Sequence, residues 1–149
     1  MNSELLLNKI IELSQLFDAF NKSSFSKNYK GLGINEVHAI DYIGDTKNPN
    51  VTKITEFLKI TKGGVTKITK KLMDKSYIES YQIEGNKKEK YFKLTEEGRK
   101  IFLKHKLIHE ESVNRDKLIF DKFDDYENKI ISRFLDELID DYKDKLSNL

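Results

Sequence analysis

At 149 residues, with 38% hydrophobic and 35% charged side chains, the chain has the size of one domain and the make-up of a strongly solvated, mainly helical one. No apolar run approaches the roughly 20 residues of a membrane helix, and the first residues lack the basic-then-apolar pattern of a signal peptide. Zero cysteines exclude disulfides, thiolate metal sites and thiol redox switches, and a cytoplasmic protein is expected. The formal net charge of +2 hides an uneven distribution. Residues 51–93 hold 11 basic and 5 acidic side chains, a net of +6, against −1 for residues 1–50 and −3 for residues 94–149. Positive charge gathered in the middle third suggests a polyanion facing it, although lysines that only solvate helix faces would give the same count.

In chain order, Leu6, Ile10, Leu13, Phe17 and Phe20 recur at helical spacing and predict an amphipathic helix from Leu5 to about Phe20. Small polar residues and two glycines predict a break from Ser23 to Gly33. Asn35 is the expected N-cap of a second helix, whose Val37, Ile40 and Ile43 share a side and which Gly44 should end. Pro49, the only proline, marks a loop over Asp45 to Asn50. Two short helices follow across a tight bend. Thr52 is the expected cap of the first, with Ile54, Phe57 and Leu58 inward; Thr61 caps the second, with Val65, Ile68, Leu72 and Met73 inward. The string Val-Thr-Lys-Ile-Thr occurs in both, at 51–55 and 65–69.

Tyr77–Ile83 and Tyr91–Thr95 are rich in aromatic and β-branched residues, and the polar stretch Glu84 to Lys90 between them predicts a charged hairpin tip. Thr95 should cap a long helix through Ile101, His105, Ile108 and Ser112. Asp124-x-x-Glu127 reads as a capping box. It opens a last helix striped by Ile131, Phe134 or Leu135, Leu138, Tyr142 and Leu146. The order is that of a winged helix-turn-helix with dimerisation arms: mainly α with a small β-hairpin wing. One domain is expected over 1–149, with dimerisation helices at 1–30 and 96–149. The winged module covers 34–95, its helix-turn-helix about 51–74 and its wing about 77–95.

A recognition helix entering a major groove about 12 Å wide needs small, polar or basic leading residues. The segment from Thr61 fits: Lys62, Gly63, Thr66, Lys67, Thr69 and Lys70 are the candidate DNA contacts. Gly63 and Gly64 each cost roughly 1 kcal/mol of helix propensity relative to alanine, which suits a backbone that must approach a partner closely. A helix N-terminus also offers free N–H groups to phosphate. Asn86, Lys87, Lys88 and Lys90 at the hairpin tip suit phosphate or minor-groove contact.

Three passages resemble the MarR family, and the similarity extends over nearly the whole chain: Leu32-Gly33-Ile34-Asn35-Glu36-Val37-His38, Gly63 through Leu72, and Leu94-Thr95-Glu96-Glu97-Gly98-Arg99. The resemblance implies a homodimer formed by the first, fifth and sixth helices. It also implies two recognition helices aimed at a pseudo-palindromic double-stranded DNA operator, and a small-molecule effector between arms and DNA-binding lobes. By match of positions, Lys62, Gly63, Thr66, Lys67 and Lys70 would meet the major groove, and Asn86, Lys87 and Lys88 the wing site. Two departures stand out. The wing carries Asn86-Lys87-Lys88-Glu89 where many members have Asp-x-Arg; lysine is a point charge without the arginine fork, which favours phosphate over narrow-groove contact. The bend has Lys59-Ile60 where glycine is frequent.

His38, His105 and His109 are the only histidines, and they are the candidate effector residues. Zinc-responsive members of the family have metal-binding histidines at matching positions together with a carboxylate from the first helix, where this chain has Phe20. The same stretch also resembles fatty-acid-synthesis repressors, which sense acyl groups. The principal reading is therefore a ligand-responsive repressor without a cofactor or resident metal. Two alternatives stay open: a zinc-responsive repressor using the three histidines, and a winged protein-interaction module without DNA binding. No enzyme is expected. His105-Lys106-x-x-His109 has lysine where a zincin has its general-base glutamate, and the sequence has no phosphate-cradling glycine loop, cysteine nucleophile or Gly-x-Ser-x-Gly elbow.

Overall fold

The computed structural model describes residues 2–149. In chain order the elements are α1 (Ser3–Asn28), α2 (Ile34–Asp45), α3 (Val51–Leu58), α4 (Lys62–Asp74), β1 (Ile78–Ile83), β2 (Asn86–Leu94) and α5 (Glu96–Asp116). A 3₁₀ turn (Lys117–Lys122) and α6 (Asp125–Ser147) follow. The chain divides into two compact units, 1–105 and 106–149. Among the described residues no helix is long and apolar enough to cross a membrane.

In the first unit, α1 starts where Asn2 accepts from the Glu4 backbone N–H at 3.0 Å. It runs past the expected stop at Phe20 to Asn28. The serines there do not break it, because no glycine or proline comes before Gly31 and the end is closed by its own groups. Asn28 donates to the Ser24 carbonyl at 2.8 Å, and the Phe25 and Tyr29 rings lie 4.8 Å apart. The N-cap of α2 is Gly33, not Asn35. Gly33 has no side chain to accept, and Glu36 at the third helical position takes a backbone hydrogen bond from it, half of a capping box. Gly44 lies inside α2 and does not end it; a Cβ there would overlap the Phe102 ring, so the glycine permits close packing.

α3 is capped by Asn50, which accepts from Lys53 N–H at 2.9 Å, two residues earlier than the expected Thr52 cap. It ends at Lys59 in the left-handed region, φ +54, the conformation glycine usually fills. Thr61 caps α4 as expected, accepting from Gly64 N–H at 3.1 Å. α2 packs against α3, α4 and β2, and α4 also meets β1. The core between them holds Val37, Ala39, Ile40 and Ile43 from α2, Ile54 from α3, Val65 and Leu72 from α4, and Ile78 and Phe92 from the strands.

β1 and β2 form one antiparallel pair, Ile78 opposite Leu94 and Ile83 opposite Asn86, with a register shift between Tyr81 and Ile83. The turn is only Glu84-Gly85, with Gly85 at φ +84. β2 therefore begins at Asn86, five residues before the strand expected from Tyr91. Thr95 then joins wing to arm: its hydroxyl donates to the Ser76 carbonyl at 2.6 Å and accepts from Gly98 N–H at 3.1 Å. A Cβ on Gly98 would overlap the Tyr77 carbonyl oxygen, so the Leu-Thr-x-x-Gly passage is a cap plus a close approach.

In the second unit the capping box of α6 forms in both directions. Asp124 accepts from Glu127 N–H at 2.8 Å and Glu127 from Asp124 N–H at 2.9 Å. Asn128 donates to the Phe120 and Phe123 carbonyls, each at 3.1 Å, and holds the 3₁₀ turn to the helix. Neither α1 nor α6 has a buried residue, and each leaves large apolar side chains exposed: Leu13, Leu16 and Phe17 in one, Phe134, Leu135, Ile139 and Tyr142 in the other.

Candidate nucleic-acid interface

One side of α4 belongs to the protein and the other to solvent. Val65, Ile68, Thr69 and Leu72 stand three and four apart and form a single stripe. Val65, Thr69 and Leu72 are buried and Ile68 is half-buried. Lys62, Gly63, Thr66, Lys67 and Lys70 are exposed on the opposite side. Thr69 departs from the expectation of a groove contact. It is 2% exposed, and its hydroxyl donates to the Thr66 carbonyl at 3.1 Å. Its place four residues after Val65 and three before Leu72 was the signal for an inward position.

The lysines of α4 divide into two groups. Among the described residues, Lys62, Lys67 and Lys70 enter no ion pair, whereas Lys71 and Lys75 at the C-terminal end converge on Glu36. Glu36 is 6% exposed. Burial pushes its carboxyl up, but hydrogen bonds from Lys71 and Gly33 and the charges of both lysines outweigh this and hold it below the usual carboxylate range. Of the first group, Lys62 sits at the glycine-bearing start of the helix, beside its unsatisfied N–H groups, and Lys67 and Lys70 follow along the exposed side.

On the wing, Lys87, Lys88 and Lys90 are exposed and Asn86 is half-buried. They lie along β2 and not in the turn, which gives them a strand's fixed spacing. The wing is tied to the loop before α3. Phe92 N–H donates to the Pro49 carbonyl at 2.9 Å, and the Tyr81 hydroxyl donates to the Asn48 side chain at 2.8 Å. Asn50, besides capping α3, donates to Glu89 at 3.2 Å. Asn48, Asn50 and Tyr81 were not singled out in the sequence. A cap-forming asparagine directly before the helical Val51 was the available sign of Asn50's role.

Two of the three histidines belong to the first unit. His38 on α2 and His105 on α5 bring their rings to 6.0 Å, edge-on, and His105 Nδ1 lies 3.0 Å from the buried Tyr29 hydroxyl. His109 is exposed and falls in the second unit. Among the described residues, no three or more histidine, aspartate or glutamate side chains are grouped so as to hold a metal ion. Burial is the first cause that raises the Tyr29 hydroxyl pKa, and the nearby Asp41 charge adds to it.

Comparison with known proteins agrees with this geometry. A model described as MarR family matches residues 32–90, which run from the start of α2 into the wing. The chain is 39% identical over 102 residues to the HTH-type transcriptional regulator PchR of Bacillus subtilis (strain 168), a match covering 68% of this chain and 60% of that protein. It spans about three fifths of the length of the curated relatives it matches. Among solved structures, Streptococcus pneumoniae FabT in complex with DNA superposes with a TM-score of 0.74 at 24% identity, covering 96% of this chain and 99% of that one. Lactococcus lactis ZitR, a zinc-responsive MarR family member, gives a TM-score of 0.72 at 26% identity over 92% and 99% of the two chains. With the two-stranded wing, the helix-turn-helix and the matched segment all in one lobe, residues 32–90 are a MarR-type winged helix-turn-helix segment.

Proposed function

We propose that the chain is a sequence-specific, DNA-binding transcriptional regulator that acts as a homodimer, catalyses no reaction and most naturally represses. The observation that carries the reading is the two-sided α4: a packed stripe behind, and Lys62, Thr66, Lys67 and Lys70 exposed in front on a helix that opens with two glycines. FabT, a protein of the same fold, was crystallised in complex with DNA. In this reading Thr66, Lys67 and Lys70 face base edges, and Lys87 and Lys88 hold phosphates beside them. The exposed apolar faces of α1 and α6 support self-association, which would bring two copies of α4 to a two-fold-related site.

Salt dependence tests the electrostatics. Four lysines per subunit (Lys67, Lys70, Lys87, Lys88) on about eight phosphates predict a log–log slope of binding against salt near −7. Duplex binding measured by fluorescence anisotropy at several salt concentrations gives that slope, and a value near zero overturns the reading. Recovery of bound genomic fragments identifies the operator.

Regulation by a small molecule at the His38–His105 pair belongs to the same proposal. Zinc is not the effector proposed. The Tyr29 hydroxyl already engages His105, and Phe20 stands where the zinc-responsive pattern needs a carboxylate. Zinc added to the metal-free protein is expected to leave DNA affinity unchanged; a tenfold change at micromolar zinc would restore the metal reading.

A further inference from the structure

We propose that Glu36 is a positioning residue for sequence discrimination: it anchors the C-terminal end of α4 and so fixes how the glycine-bearing end meets DNA. The inference rests on the DNA-binding reading above and adds a residue that does not itself touch DNA.

The argument begins with an asymmetry in α4. Its first turn contains Gly63 and Gly64, the residues that propagate a helix worst apart from proline, and a Cβ at Gly63 would meet nothing within 4 Å. The restraints at that end are the Thr61 cap and the buried Val65, a single apolar contact about which the helix could still turn. A second point farther along is needed to fix its direction. At the other end, Lys71 Nζ lies 2.5 Å from Glu36 Oε1 and Lys75 Nζ lies 3.5 Å from Oε2. Lys75 also donates to the Gly31 carbonyl at 2.5 Å. One carboxylate on the first turn of α2 thus draws in Lys71 of α4 and Lys75, which caps its C-terminus, and the second of these reaches the backbone ahead of α2.

Glu36 is the only charged side chain buried among the described residues. A carboxylate removed from water is held tightly by its cations, because leaving it unpaired is strongly unfavourable. The clamp therefore resists both rotation and sliding of α4 over α2. It also occupies two of the helix's lysines, so that Lys62, Lys67 and Lys70 are the ones left for a partner. Lysines at a helix C-terminus are favoured by the dipole in any case; a buried carboxylate supplied from another helix is what makes them an anchor.

The test is Glu36→Gln in the full chain, which keeps shape and removes charge. Binding is measured to two labelled duplexes of equal length: a genomic fragment recovered with the wild type, and a random sequence. Amide hydrogen exchange is followed in the free protein. The ratio of the two affinities is expected to fall about tenfold while random-sequence affinity changes less than about threefold, and α4 amides should exchange faster than those of α3. An unchanged ratio overturns the proposal, and so does an equal loss on both duplexes, which is what a merely less stable protein would show. If the wild type discriminates between no duplexes, the DNA-binding reading falls and takes this inference with it. Unchanged discrimination in the variant removes the inference alone. Should Glu36→Gln fail to fold, Lys71→Met with Lys75→Met gives the same readout from the other side of the clamp.

Discussion

The pentapeptide Val-Thr-Lys-Ile-Thr serves two helices and faces differently in each. In α3 it opens the helix: Val51 directly follows the Asn50 cap, Ile54 is fully buried, and Lys53 Nζ turns back to the Lys47 and Asn48 carbonyls at 3.4 and 3.2 Å. In α4 it begins a turn inside. Val65 and Thr69 are buried, Ile68 only half so, and Lys67 is exposed and, among the described residues, enters no ion pair. The same five residues yield a scaffold in one place and a candidate contact surface in the other. What differs is the distance from the cap and the number of covering elements, since α4 packs against α2, α3 and β1. Local sequence sets a helical period; the neighbours choose its phase.

Substitution at matched positions breaks this comparison most directly. Ile54→Ala should cost about 3–4 kcal/mol of stability, because the site is closed on all sides, whereas Ile68→Ala should cost about 1–2 kcal/mol. Urea unfolding of the two variants measures the difference; equal losses would mean that the burial assigned to the two copies is wrong. The paired lysines come next. Lys67→Ala is expected to weaken duplex binding about tenfold, roughly 1.4 kcal/mol, while Lys53→Ala changes it less than about twofold. Anisotropy titrations at one fixed salt concentration decide between them. The smallest effect lies in the bend between the copies. Lys59→Gly relieves a left-handed backbone and should stabilise the protein by up to about 1 kcal/mol, read as a modest rise in thermal midpoint. A fall would show that the Lys59 side chain contributes more than its backbone strain costs.

Periodicity and capping chemistry made most elements legible before any coordinates. Thr61, Thr95 and the Asp124–Glu127 pair cap where their residue types predict, because each acts within a few residues of itself. What escaped depends on groups distant in sequence or missing from a side-chain alphabet. Gly33 caps α2 without a side chain because Glu36 reaches back to it, and Gly44 looks like a terminator until the Phe102 ring packs across it. The serines after Phe20 read as a break, yet a helix needs an active breaker, and none arrives before Gly31. In the candidate interface, Lys62, Thr66, Lys67 and Lys70 follow from composition and helical phase. Thr69 was placed outward on its polarity alone, although its spacing from Val65 and Leu72 turned it inward. The wing anchors Asn48 and Tyr81 are 33 residues apart and meet only through the tertiary fold.

The junction after the wing has a mechanical consequence. Thr95 bonds both ways and Gly98 lies against the Tyr77 carbonyl with no room for even a methyl group. The foot of the hairpin and the opening turn of α5 therefore have no slack between them. A tilt imposed on that turn is handed to the hairpin at once, like a lever welded to its shaft, so reorienting one means reorienting the other.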